Sequence, residues 1–64
     1  MSKLYRCPVC NNETLDELHE HDICTVCWWE DDPFQYEHPD YAGGANKLSL
    51  NQAKAEWARG KIVL

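Results

Sequence analysis

The chain has 64 residues, with 11 acids, six bases and four cysteines, and a formal net charge of −5. That length allows one small domain, residues 1–64, and excludes a large buried core. The charge argues against DNA or RNA as a partner, because a nucleic-acid module carries a basic stripe. No stretch approaches the roughly 20 apolar residues of a membrane span. Met1 to Arg6 holds no apolar run of a signal peptide, so a cytoplasmic protein with reduced thiols is expected.

In chain order, Tyr5-Arg6 leads into Cys7-Pro8-Val9-Cys10, and Cys24-Thr25-Val26-Cys27 follows after thirteen residues. Two Cys-x-x-Cys pairs at this separation predict one tetrahedral metal site with Cys7, Cys10, Cys24 and Cys27 as ligands. Each pair wraps a tight turn and presents two sulfurs to one ion. Pro8 pre-sets φ for the first turn. Asn11, just after the second ligand, suits a position that needs φ > 0. Four thiolates leave no open coordination position, so the site reads as structural and the chain as no enzyme. Zn²⁺, one per chain, is the expected ion. Iron in a rubredoxin-like cage uses the same four thiolates, and spacing does not separate the two. Two disulfides would need an oxidising compartment. A redox motif would need a βαβ setting, and none surrounds either pair.

Size raises the weight of the metal. A core of this length rarely supplies more than a few kcal/mol. A structural zinc contributes about 10–16 kcal/mol of apparent binding free energy in small metal-dependent domains. Folding and metal binding should be nearly one event.

Between the knuckles, residues 13–23 read as a short hairpin carrying the chain from one pair to the other. Leu15 and Ile23 are expected to face the core, with acids outward, and one helical turn near Leu15–Leu18 is an alternative. His19 and His21 lie here. Four cysteines already saturate the site, so a solvated turn is expected for them, not ligation.

Residues 28–46 are unusual. Trp28, Trp29, Phe34, Tyr36 and Tyr41 alternate with Glu30-Asp31-Asp32, Glu37 and Asp40. Asp32-Pro33, His38-Pro39 and Gly43-Gly44 are turn signals, so an irregular loop is predicted. Either the rings form a small core beside the metal, or some remain exposed as anchors for a partner. The run Glu30-Asp31-Asp32 lacks the spacing of a calcium loop. From residue 7 to residue 46 there are ten acids and no Lys or Arg. Four thiolates and a dication add a further −2. The acids read either as a self-repelling, soluble surface or as a face for a basic protein. On the second reading the partner-binding candidates are Trp29, Glu30, Asp31, Asp32, Phe34 and Tyr36.

The clearest helix follows. Ser49 with Gln52 makes a capping box, Leu48 is placed to staple onto Ala53, and Leu50, Ala53 and Trp57 share one face. Gly60 is placed to end it. Lys61-Ile62-Val63-Leu64 reads as a final strand or an apolar tail.

Cys7-Pro8-Val9-Cys10, Ile23-Cys24-Thr25-Val26-Cys27, Trp29-Glu30-Asp31-Asp32, Pro39-Asp40-Tyr41-Ala42-Gly43-Gly44-Ala45-Asn46 and Leu48-Ser49-Leu50 together resemble the bacterial cysteine-rich CPCC family, over about residues 5–57. The resemblance implies a compact zinc-binding protein with Cys7, Cys10, Cys24 and Cys27 as ligands, and implies no enzymatic activity. The family's name motif has a cysteine where this chain has Val9, so that middle position is not a required ligand.

The fold expected is a small metal-stabilised α+β module, with two zinc knuckles and a short β-hairpin in a zinc-ribbon- or rubredoxin-like arrangement, plus one C-terminal helix. The function expected is a structural zinc module that binds another protein, with an immunity- or antitoxin-type inhibitor of a basic bacterial protein as a special case. The alternative is a rubredoxin-like iron-tetrathiolate electron carrier. Oligomeric state is left open.

Overall fold

A computed structural model describes residues 3–60. The element order is β1 (Tyr5–Arg6), β2 (Glu13–Leu15), α1 (Pro33–Glu37) and α2 (Leu50–Ala58). This is a small α+β fold in which irregular chain outweighs regular structure. The apolar tail expected at residues 61–64 lies outside the described residues.

The hairpin is real but placed differently from expectation. β1 and β2 pair antiparallel, Tyr5 with Leu15 and Arg6 with Glu13, with a register shift between the two pairs. They flank the first knuckle and do not link it to the second. A shorter counterpart flanks the second knuckle. Ile23 bridges Glu30, the Asp31 N–H donates to the Asp22 carbonyl at 2.8 Å, and the His21 N–H to the Asp31 carbonyl at 3.1 Å. That pairing turns Ile23 outward, and it is 49% exposed, whereas Leu15 is fully buried. Leu15 thus meets the core expectation and Ile23 does not. Residues 16–20 form bends, not a helical turn.

The predicted irregular loop at 28–46 contains α1. Its cause is local. Asp32 is the N-cap, accepting from the Phe34 N–H at 2.9 Å, and Pro33 occupies the first helical position, where its missing N–H costs nothing. Five residues are too few to show a helical period.

The rest of that loop is held by buried amides. Gln35 is fully buried. Its Nε2 donates to the carbonyls of Tyr41, Asn46 and Leu48 at 3.0, 3.2 and 3.0 Å. Asn46 accepts from the Glu30 N–H at 2.9 Å and donates to the Glu30 carbonyl at 2.7 Å. Two side chains thereby supply the pairing that a sheet would otherwise provide to the backbone. The loop closes tightly over them. A Cβ at Gly44 would lie 2.8 Å from Asp32 Oδ2 and 3.0 Å from Gln35 Cδ, so only glycine fits.

Helix α2 begins as its sequence dictates. Ser49 Oγ accepts from the Gln52 N–H at 3.1 Å, and Gln52 Oε1 accepts from the Ser49 N–H at 2.9 Å. Leu50 and Ala53 are buried, and Leu48 and Trp57 pack partly buried against the same core. Gly60, at φ 81°, follows the helix end. Val9, Leu15, Trp29 and three of the cysteines complete the core. The metal site is therefore the centre of the fold and not an appendage.

Candidate metal centre

The two knuckles are copies of one backbone design. In the first, the Asn11 N–H donates to the Cys7 carbonyl and the Cys7 N–H to the Asn12 carbonyl, each at 2.9 Å. In the second, Trp28 N–H to Cys24 carbonyl and Cys24 N–H to Trp29 carbonyl repeat these bonds, also at 2.9 Å. Each turn needs a left-handed residue after its second cysteine, Asn11 at φ 65° and Trp28 at φ 71°. Asparagine tolerates that region; tryptophan carries a Cβ penalty of about 1 kcal/mol.

These turns bring the four sulfurs together. All four Sγ atoms lie within 4.8 Å of one another. Cys7 Sγ is 3.5 Å from Cys27 Sγ, and Cys10 Sγ is 3.6 Å from Cys24 Sγ. A tetrahedral ion with bonds of about 2.3 Å to sulfur sets neighbouring sulfurs about 3.8 Å apart, so the cluster has the dimensions of a tetrathiolate site. All four are free cysteines, three of them buried and Cys10 partly so.

Donors surround the sulfurs. The N–H groups of Val9 and Val26 point at Cys7 Sγ and Cys24 Sγ at 3.4 Å, and that of Cys27 also reaches Cys24 Sγ at 3.4 Å. The Thr14 hydroxyl donates to Cys24 Sγ at 3.0 Å. Such bonds favour thiolate over thiol. Without a cation the cluster must share protons. The Cys27 thiol beside Cys7 pulls Cys7 down to about 5, against burial, which pushes it up. The same bond, with burial, pushes Cys27 up, and burial pushes Cys10 up. Four adjacent thiolates become tolerable only around a cation, which is the chemistry the donor set offers.

His19 and His21 stay out of the cluster. They take left-handed backbone at φ 58° and 64° and pair with carboxylates instead. His21 Nδ1 lies 3.1 Å from Glu30 Oε2, and His19 Nδ1 lies 3.6 Å from Asp31 Oδ1.

The predicted partner residues divide. Trp29 is fully buried in the core, so it cannot anchor a partner. Asp31 is fully buried too. Its Oδ2 accepts from the His19 N–H at 2.6 Å, fixing the turn before the second knuckle. Asp32 is 7% exposed and spends its oxygens on the N–H groups of Phe34 and Ala45. The run of three acids therefore builds structure, with only Glu30 partly exposed. Phe34 and Tyr36 are 51% and 45% exposed. Two more rings share that exposure, Tyr41 at 46% and Trp28 at 49%. Trp28 was not among the expected partner residues, and its left-handed backbone after a knuckle was the available signal.

Among the described residues no helix is long and apolar enough to cross a membrane. No curated protein gives a significant match to the chain. A family model described as Cysteine-rich CPCC matches residues 5–60. The match spans both knuckles, α1 and α2, and with it the residues that gather the four sulfurs: the chain belongs to the cysteine-rich CPCC family.

Proposed function

We propose that the protein is a structural zinc module that works by binding another protein. One Zn²⁺ per chain sits among Cys7, Cys10, Cys24 and Cys27 in a zinc-ribbon-like centre and holds two knuckle hairpins together. The four-sulfur cluster at the middle of the core supports this reading. With every coordination position taken by thiolate, the metal supplies folding free energy and no turnover.

The partner is a basic protein. Phe34, Tyr36, Tyr41 and Trp28 stay about half exposed in a chain that has few apolar residues to spare. Exposed acids stand near them in sequence, Glu37 and Asp40 among them. Phe34 packs edge-on against Tyr41 at 4.9 Å and lies 4.4 Å from the His38 ring, so these rings form a connected surface. Aromatic anchors with surrounding carboxylates suit a basic surface, and inhibition of a basic bacterial protein in the cytoplasm is the special case they fit.

Metal analysis of protein purified under reducing conditions from its own host is the test of the centre. One zinc per chain is expected, and Cys24→Ser should lose it and largely unfold. Ferric-thiolate absorption with reversible one-electron reduction would replace this reading with the electron carrier. For the partner, capture of a basic protein should weaken with added salt and with Phe34→Ala. Capture indifferent to both would remove the interaction surface.

A further inference from the structure

Three of the chain's six cations, Lys3, Arg6 and Lys54, line one cavity of about 740 Å³. None of the three has an ion-pair partner among the described residues. Exposed cations are ordinarily solvated without partners, so what singles these three out is the lining they share with two tyrosines and a histidine. Among the described residues Glu13 is the one carboxylate in the lining, and Cys7, part of a four-thiolate centre of net −2 around a dication, borders it too. The volume falls in the range of small-molecule sites.

The apolar part of the lining comes from rings. Tyr5 and Tyr36 are 41% and 45% exposed, and both border the cavity. His19 borders it too and packs against Tyr36 at a tilt of 45°, with ring centroids 4.1 Å apart. The His19 ring is held from behind. Its Nδ1 is buried against Asp31, whose carboxylate also clamps the His19 backbone, while 35% of the side chain remains exposed. Solvent therefore reaches the ring by its other edge.

We propose that this cavity binds a small organic anion with a flat apolar body, of the aromatic phosphate monoester class. Lys3, Arg6 and Lys54 take the phosphate, and Tyr5 and Tyr36 take the ring. The site is independent of the basic-partner reading, since it selects the opposite charge, although Tyr36 is common to both.

The test is an NMR titration of the metal-loaded protein with phenyl phosphate as probe, with phenol and inorganic phosphate titrated in parallel. Saturable shifts are expected at Lys3 to Pro8, His19, Tyr36 and Lys54, with a dissociation constant on the order of 1 mM or below. Arg6→Gln and Lys54→Gln, both at exposed positions, should each weaken binding about three- to fivefold. Lys47→Gln, an exposed cation outside the lining, should leave binding unchanged. An absence of saturable shifts overturns the proposal. So does equal affinity for phenol, which removes the anion, or for inorganic phosphate, which removes the ring. Equal weakening by Lys47→Gln and Lys54→Gln would reduce the effect to general charge and overturn it as well.

Discussion

Asn46 donates from Nδ2 to Gln35 Oε1 at 2.9 Å, and Gln35 accepts the Asn46 N–H at the same oxygen at 3.0 Å. Gln35 thereby fills both ends of its amide, with two bonds accepted at Oε1 and two N–H protons shared among three carbonyls. This pair organises the segment between the second knuckle and α2 without a strand.

Removing it should be costly. Gln35→Ala strands the carbonyls of Tyr41, Asn46 and Leu48 and opens a cavity, for a loss of about 3 kcal/mol. Gln35→Glu keeps the shape but aims a carboxylate at those three carbonyls, and should cost at least as much at neutral pH. Urea unfolding of the metal-loaded protein measures both. A near-silent Gln35→Glu would show that the network contributes little.

Thr14 acts on the metal through sulfur. Its hydroxyl is the shortest donor to Cys24 Sγ, at 3.0 Å. Thr14→Val preserves volume and β-branching while deleting that bond. Zinc affinity should fall about tenfold, the low end for loss of an outer partner of a ligand. Competition with a chromophoric chelator reads this directly. The exchange should leave the fold of the zinc-loaded form intact.

Asp32 predicts a pH dependence. Burial pushes its carboxyl up, but the N–H groups of Ala45, Phe34 and Gln35, with His21 nearby, outweigh that and hold it below the ordinary carboxylate value. A depressed folded-state value contributes stability that is fully present above the unfolded value of about 3.9 and is lost as pH falls through the folded one. Asp32→Asn can still cap α1, yet it turns an NH₂ toward the Ala45 N–H or loses the cap bond. The stability gap between wild type and Asp32→Asn should be about 1 kcal/mol at about pH 5. It should narrow below about pH 4. Taking the difference at matched excess zinc cancels acid release of the metal, which both proteins share. A gap that widens below about pH 4 would reverse the sign of this assignment.

The four-cysteine cluster was legible because two paired spacings converge on one point, and α2 because Ser49, Gln52 and Gly60 mark its ends by local conformational preference. Asn11 announced its left-handed turn for the same reason. The acidic run misled. Charge is an average property of surfaces, but Asp31 and Asp32 are buried because each finds backbone N–H donors, and no composition reveals that. Gln35 was equally silent, since its three partner residues, Tyr41, Asn46 and Leu48, lie six to thirteen residues away. Ile23 and Leu15 are alike as residues, and only the register of two short pairings sends one outward and the other in.

Trp28 and Trp29 are neighbours with opposite roles. Trp29 is fully buried in the core that surrounds the sulfurs. Trp28 is 49% exposed and occupies left-handed backbone at φ 71°, where Asn11 sits in the matching turn. Trp29→Ala should cost about 3–5 kcal/mol and lower the melting temperature steeply. Trp28→Asn should cost far less, within about 1 kcal/mol of wild type, because asparagine's short polar side chain suits left-handed backbone and offsets loss of the ring's buried half. If Trp28 is kept for a partner, Trp28→Asn should weaken capture of that partner while the fold keeps its stability within about 1 kcal/mol, and Phe34→Ala should weaken capture with a stability change of similar size. Thermal melts of the zinc-loaded variants, run beside partner binding, separate the two quantities. A Trp28→Asn variant that melts well below wild type would place this ring in the structure instead, and would leave its strained backbone without a binding role.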